Sequence, residues 1–227
     1  MKILTRVLFF FAIAGLMTAC KGPKGEKATT TDEVKTETKK VDNAAVEAYT
    51  VNAGGTLNWE GSKVIGGGHQ GTINISSGAL KMEGGKVTGG KFEVDMASIN
   101  CTDLEGDMKG NLEGHLKNAD FFDIENHPTS AFEITNVQAL DGDAEANSIV
   151  SGNLTIKGKT KNITFKAKID AADGSVKVSS PQFVIDRTDW DVQYGSTKFF
   201  SDLAKDKVIS DKIGLSVNFS AAKKVEG

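Results

Sequence analysis

Three histidines, His69, His115 and His127, and two cysteines, Cys20 and Cys101, have the widest chemical reach in this 227-residue chain. No two of them stand at the short spacing by which a zinc motif presents paired ligands. His127 precedes Pro128 and reads as a turn residue, His69 in Gly-Gly-Gly-His as a loop residue, and His115 as a polar residue beside a helical stretch. No metal and no cofactor is expected. Asp186-Arg187-Thr188-Asp189 sets two carboxyls at a strand end, where acid–base chemistry would use them. With Arg187 between them, an ion-paired brace is the better reading. Gly66-Gly67-Gly68 lacks the Gly-Lys-Ser/Thr that completes a phosphate loop, and no serine sits in a strand-to-helix elbow. The chain is therefore expected not to be an enzyme, with no catalytic residues. A lipid-modifying enzyme using Asp186, Asp189 or a histidine is the least favoured alternative.

Cys20 is different in kind. Lys2 and Arg6 precede an apolar run from Val7 to Met17, too short for the ~20 residues that span a bilayer. Thr18-Ala19-Cys20 then follows. Leu16-Met17-Thr18-Ala19-Cys20 resembles a bacterial lipoprotein box, which implies a leader over 1–19, acyl chains on Cys20, and a protein anchored to the periplasmic or outer membrane. Ordinary cleavage before a free Cys20 is the alternative. With Cys20 acylated, Cys101 is the one remaining thiol, and it reads as a small core residue.

From Lys21 to Ala48 the sequence has no aromatic residue, and six lysines face six acids. So little apolar area does not offset chain entropy, and residues 20–48 are expected to be the anchor plus a flexible tether, roughly 30 Å long as a coil.

The elements that must position any site lie in residues 49–227. Apolar residues alternate with polar ones in Leu57/Trp59, Ile73/Ile75, Phe92/Val94/Met96, Phe132/Ile134, Leu154/Ile156, Ile163/Phe165, Val176/Val178, Phe183/Ile185 and Leu215/Val217/Phe219. Gly84-Gly85 marks a hairpin turn. This many strands with one dry face are best satisfied by curling into an eight-stranded antiparallel β-barrel, which also removes unpaired edges. A two-sheet sandwich is the structural alternative. Leu104, Met108, Leu112 and Leu116 recur every fourth residue and predict a short helix near the mouth, followed by Phe121-Phe122 as a lid.

Composition agrees with a tightly turning all-β domain: 25 Gly against 3 Pro, with 15 of the glycines between Gly54 and Gly114. A net charge of −3 and the lack of a basic block argue against a nucleic-acid partner. An eight-stranded barrel is either filled by side chains or holds one small ligand. The inward residues are medium-sized and apolar, which favours an elongated apolar ligand. The candidate lining is Trp59, Ile73, Phe92, Val94, Met108, Leu112, Leu116, Phe121, Phe122, Phe132, Ile134, Leu154, Ile156, Phe165, Phe183, Ile185 and Trp190. A barrel packed solid, serving as an envelope interaction module, is the second reading. The oligomeric state, a homodimer included, is open at this level.

In order, the segments Gly71-Thr72-Ile73, MASIN (96–100), GHLKNADFFDIENHPTSAFEI (114–134), SGNLTIKGKTKNITF (151–165) and FVIDRTDWDV (183–192) resemble the YceI-like family of bacterial exported proteins. That resemblance implies a lipocalin-like barrel with a helical segment at its mouth. It also implies binding of polyisoprenoid chains, such as quinone tails, or other amphiphiles, as an envelope lipid carrier, sensor or store. The chain departs from the family pattern in two places. His115 and Lys117, before the Phe pair, stand as head-group contacts, and Asp191 follows Trp190 where the family more often has Gly.

Overall fold

Twelve strands and one α-helix form along residues 22–35 and 46–224, the part of the chain that the computed structural model describes. The expected leader and Cys20 lie outside these residues. In chain order the elements are β1 (Glu26–Lys27), β2 (Thr29–Asp32), β3 (Glu47–Val51), β4 (Thr56–Ser62), β5 (Gly68–Glu83), β6 (Lys86–Cys101), α1 (Gly106–Lys117), β7 (Thr129–Ala139), β8 (Ser148–Ile156), β9 (Lys159–Ala172), β10 (Ser175–Ser179), β11 (Phe183–Asp186) and β12 (Lys212–Lys223).

Every alternating segment of the sequence lies in a strand, and the strands close. Antiparallel pairing runs from β4 through β5, β6, β7, β8, β9 and β10 to β12, and β12 pairs back onto β4 from Gly214↔Glu60 to Asn218↔Thr56. The fold is thus an eight-stranded lipocalin-like barrel rather than a sandwich. Two ring positions are interrupted strands. β3 continues the line of β4 between β5 and β12, and β11 continues the line of β10 along β12. Gly84 and Gly85 both have positive φ, 56° and 77°, and close the β5–β6 hairpin in the conformation that matches strand twist. Three register shifts between β5 and β6 let these 16-residue strands curl around the core.

The tether expectation fails for residues 26–32. β1 runs parallel to β11 (Glu26↔Phe183, Lys27↔Val184), and β2 runs antiparallel to β9 (Thr29↔Thr164 to Asp32↔Lys161). Where β10 gives way to β11, the wall between β11 and β9 opens, and this segment fills it. Composition concealed the strand because it depends on borrowed backbone partners and β-branched threonines, with only Ala28 buried against the interior. The Val34 N–H and C=O also bond the Asn153 side-chain amide, at 3.0 and 2.7 Å. Residues 36–45 of the expected tether lie outside the described residues.

Strand ends place the β4–β5, β6–β7, β8–β9 and β11–β12 connections at one end of the barrel, with α1 in the β6–β7 connection. The apolar stripe of α1 is real only at its C-terminal end. Leu116 is buried and Leu112 half-buried, but Met108 is 67% exposed, a correction to its expected inward position. A step of four residues overshoots the 3.6-residue turn by ~40°, so two steps carry Met108 ~80° away from Leu116.

Candidate functional site

Inside the ring is a cavity lined by all the barrel's main strands. It comprises about 1520 Å³ of space free of protein atoms, including the part open to solvent. The end of the barrel away from α1 is shut by Tyr49, Met82, Val176 and Ala221, which are buried in the core beyond the lining. Above this plug the lining is aliphatic and aromatic: Leu80, Val87, Phe92, Ile134, Val150, Ala167, Val178 and Phe219, then Phe132, Leu154, Phe165 and Phe183. Phe165 and Phe183 stack at 4.3 Å. The polar lining groups, Ser130, Arg187, Ser210 and Lys212, are all at the α1 end, where Leu116, Phe121 and Phe122 close over the interior. The site is thus an apolar sac: polar residues border it at the α1 end, but the Arg187 guanidinium is spent on backbone carbonyls and the Ser130 hydroxyl on Met96, so its free surface is apolar throughout.

Of the expected lining, Trp59, Ile73, Phe92, Val94, Leu116, Phe121, Phe122, Phe132, Ile134, Leu154, Ile156, Phe165, Phe183 and Ile185 border this cavity. Three do not. Met108 faces solvent, Leu112 packs on the Ile73–Phe121 cluster, and Trp190 is fully buried behind the wall with its indole N–H donating to the Leu154 carbonyl at 2.9 Å. Sequence reasoning passed over Leu57, Ile75, Met96, Leu215, Val217 and Phe219, although strand parity puts them on the same dry face as chosen neighbours. It had no signal for Ser210 or Lys212, which sit in or beside an irregular connection. The indole N–H of Trp59 is buried without a hydrogen-bond partner among the described residues, an unspent donor on a lining side chain.

His115 and Lys117 do not line the cavity. The His115 ring is pinned edge-on by Tyr194 (4.5 Å) and Phe121 (5.8 Å), and its Nε2 is buried without a partner among the described residues. The adjoining Phe pair is held down by the Lys157 ammonium, which donates to the Ala119 and Phe121 carbonyls at 3.0 Å.

The Asp186–Asp189 segment is a brace, wired differently from the expected pairing. Arg187 turns inward and is 1% exposed. Its Nε, Nη1 and Nη2 donate to the carbonyls of Ser210 (3.0 Å), Val192 (2.6 Å) and Ile209 (3.2 Å), and Nη2 lies 3.6 Å from Asp211. Its guanidinium faces the Phe121 ring at 5.7 Å. Asp186 instead caps the 3₁₀ turn of residues 187–190 through the Thr188 N–H and pairs with Lys198 at 2.6 Å. Asp191 ends that turn at φ 56°, a left-handed position, which accounts physically for the glycine more usual there. Burial pushes the Asp186 carboxyl up, but Lys198 and the two Thr188 donors outweigh it and leave the pKa below the usual carboxylate range.

His69, Cys101 and Asp103 are the described residues whose donor atoms could hold a metal ion, lying within 4.8 Å of one another. Their own bonding already satisfies them. The Cys101 thiol (3.0 Å), the His69 ring (3.2 Å) and the Gln70 N–H (3.2 Å) all meet the Asp103 carboxylate and lock the β5–β6 ladder at the α1 end. Burial and the Asp103 carboxylate raise the Cys101 pKa and keep it a thiol, while Asp103 is net lowered, its own burial outweighed by the Cys101, Gln70 and His69 donors. Asp103 and Asp186 are thus more acidic folded than unfolded. The stability they contribute is present above the unfolded carboxyl value of ~3.9 and is lost as pH falls through their native values. Urea midpoints should hold level from about pH 7 to 5 and decline below about pH 4. Asp186→Asn should flatten part of that acid limb.

Comparison with known proteins agrees with this architecture. The model of the YceI-like domain matches residues 29–221. A UPF0312 protein of Pseudomonas aeruginosa is 42% identical over 79 residues, 35% of this chain and 36% of that one, and a UPF0312 protein of Pseudomonas putida is 34% identical over 86 residues, 34% and 43% of the two chains. The chain thus aligns with less than half the length of these curated relatives. Among solved structures, Burkholderia cenocepacia BcnA superposes with a TM-score of 0.52 at 19% identity, covering 74% of this chain and 96% of that one. A polyisoprenoid binding domain from Saccharophagus degradans, implicated in plant cell wall breakdown, gives 0.55 at 16% identity, covering 78% and 99%. At such identities the likeness is one of fold.

Proposed function

The chain belongs to the YceI-like family, and from that premise we propose that it binds a long-chain, isoprenoid-like amphiphile inside the barrel, as an exported, membrane-anchored carrier, sensor or store rather than an enzyme. The observation that carries this reading is the cavity itself, wholly apolar on its free surface, shut by the plug at one end and bordered by polar residues only at the α1 end. An amphiphile fits it tail-first. Its oxygen-bearing head would lie at the α1 end, toward Ser210 and Lys212, which border the cavity where the connections meet solvent. The ligand that the Saccharophagus domain's description names, a polyisoprenoid, has such a tail.

Energetics set a minimum tail length. Ten buried methylenes contribute ~8 kcal/mol gross at ~0.8 kcal/mol each, before ordering and association losses. Micromolar affinity needs about 8 kcal/mol net, so the tail should exceed ten carbons. Ala167 is almost fully buried in the lining. Ala167→Trp, at an inward position of β9, should obstruct the tail at an overpacking cost of roughly 1–3 kcal/mol and lower polyprenol uptake at least about tenfold. Native mass spectrometry with added polyprenols of stepped length checks both the affinity and the length threshold. A wild-type barrel that stays empty at every length, or an Ala167→Trp variant that folds and loads as well as wild type, would refute the reading.

A further inference from the structure

We propose that the α1 end of the barrel is a bilayer-docking face, lying on the same lipid surface toward which the N-terminal chain departs. This deepens the proposed lipid binding by fixing the surface from which an amphiphile enters, and it can be tested with the cavity empty.

Exposed apolar side chains are ordinary when scattered, whereas a connected set of them marks an interaction surface. Among the described residues, eight large apolar side chains are 40–67% exposed, and six of them, Val64, Ile65, Met108, Tyr194, Phe199 and Phe200, belong to connections at the α1 end, the other two being Val34 and Val46. These connections support one another. The Val64 N–H donates to the Val208 carbonyl (2.9 Å), the Ile209 N–H to Gly195 (2.9 Å), and the Phe199 and Phe200 N–H groups to Ser196 (3.2 and 3.0 Å). Tyr194 rests on His115 of α1. The rim is therefore held by backbone bonds and one ring contact while its apolar side chains face outward.

The path of the chain names the occupant. Gly22, the first described residue, lies against Ser62, the last residue of β4, and Pro23 packs beside Gly214. Ser62 leads directly into the Val64–Ile65 connection. Cys20 is two residues upstream of Gly22, within ~7 Å by chain length, and only residues 21–25 separate it from β1. Acyl chains on Cys20 would therefore enter the bilayer beside this rim, on a leash too short to hold the barrel away from it. The rim's connections carry both signs of charge, Lys63, Lys198 and Lys205 among them as well as Glu105, Asp107 and Asp202. Seating accordingly comes from apolar insertion into the headgroup boundary, weak by itself and effective once the chain is tethered.

The test uses residues 22–227, which carry every described element, with a hexahistidine tag at Gly22 holding the protein on vesicles of phosphatidylethanolamine, phosphatidylglycerol and a nickel-chelating lipid. Trp190 is fully buried but Trp59 borders the cavity, so the parent protein on the same vesicles supplies the background against which an added tryptophan is read. With bromine on the acyl chains, the emission contributed by the added tryptophan of a Phe199→Trp variant, taken as the difference from the parent protein on the same vesicles, should fall roughly twofold, consistent with insertion of several ångströms. A Val46→Trp variant, whose exposed site lies at the opposite end, should be unaffected. Phe200→Trp serves where Phe199→Trp does not fold. An unquenched rim, equal quenching at both ends, or a concentration-dependent dimer abolished by Phe199→Asp would overturn the proposal. None of those results bears on whether polyprenols enter the cavity, so the two readings fail separately.

Discussion

Arg187→Ala is expected to cost about 3–5 kcal/mol, a large share of the 5–15 kcal/mol that holds a typical domain together. The reason is what the missing guanidinium leaves behind. Three backbone carbonyls, of Val192, Ile209 and Ser210, lose their donors in an almost dry site, and Asp211 loses one of its two cations, keeping Lys198 at 3.5 Å. Each unsatisfied group carries a desolvation penalty of ~1–3 kcal/mol, reduced where water enters the space vacated. Those carbonyls belong to the long 191–211 connection, which has no α-helix or strand of its own and which carries Tyr194, Phe199 and Phe200. The loss should therefore begin there, with amide exchange at residues 192–210 rising before the ring strands exchange faster. Arg187→Lys should rescue little, because one ammonium does not reproduce a planar fork reaching three carbonyls in different directions. Urea midpoints for both variants check the magnitude. An Arg187→Ala protein within about 1 kcal/mol of wild type would mean that the guanidinium is not the brace of this end.

What was legible in the sequence follows the reach of its patterns. Alternation along Phe92-Glu93-Val94-Asp95-Met96 reports which face is dry, so the strands and most of the cavity lining could be read directly. Ring closure could be argued only from the cost of edges, since β12 meeting β4 is a contact between residues some 158 apart in the chain, as in Asn58 with Ser216. Period four in α1 is not the 3.6-residue period of a helix, and the accumulated rotation turns Met108 outward. The 26–32 segment was missed for a different reason. Area per residue decides whether a chain collapses alone, whereas this strand is held by backbone groups that β9 and β11 leave open. Arg187 was recognised as a brace, but its partners come from residues 192 and 209–211, which carry no local pattern.

That missed strand carries the second large prediction. Ala28 is 3% exposed among Ile163, Phe183, Ile185, Trp190 and Leu215, none of which offers a side-chain cation. Ala28→Asp would bury a lone carboxylate at a cost of several kcal/mol if β1 and β2 stayed in place. The segment has an exit, however. It can leave the wall, giving up its pairing with β9 and β11, the Val34–Asn153 bonds, and the exposed ion pairs Lys161–Asp32 and Lys166–Glu26, which are worth little in water. The penalty is capped by that release, at about 2–4 kcal/mol, and the result should be local opening instead of global unfolding. Limited trypsin digestion read by mass spectrometry should then show fast cleavage at Lys24 and Lys27 while the ring from β4 to β12 resists. The slot exposes wall beside Ile163 and Phe183, both cavity-lining residues, so an apolar dye should bind the variant more strongly. Continued protection of Lys27 together with an unchanged melting temperature would refute a role for this strand in the wall. Cleavage that spread at once through β9 and β11 would instead make it a keystone, without which the barrel does not stay closed.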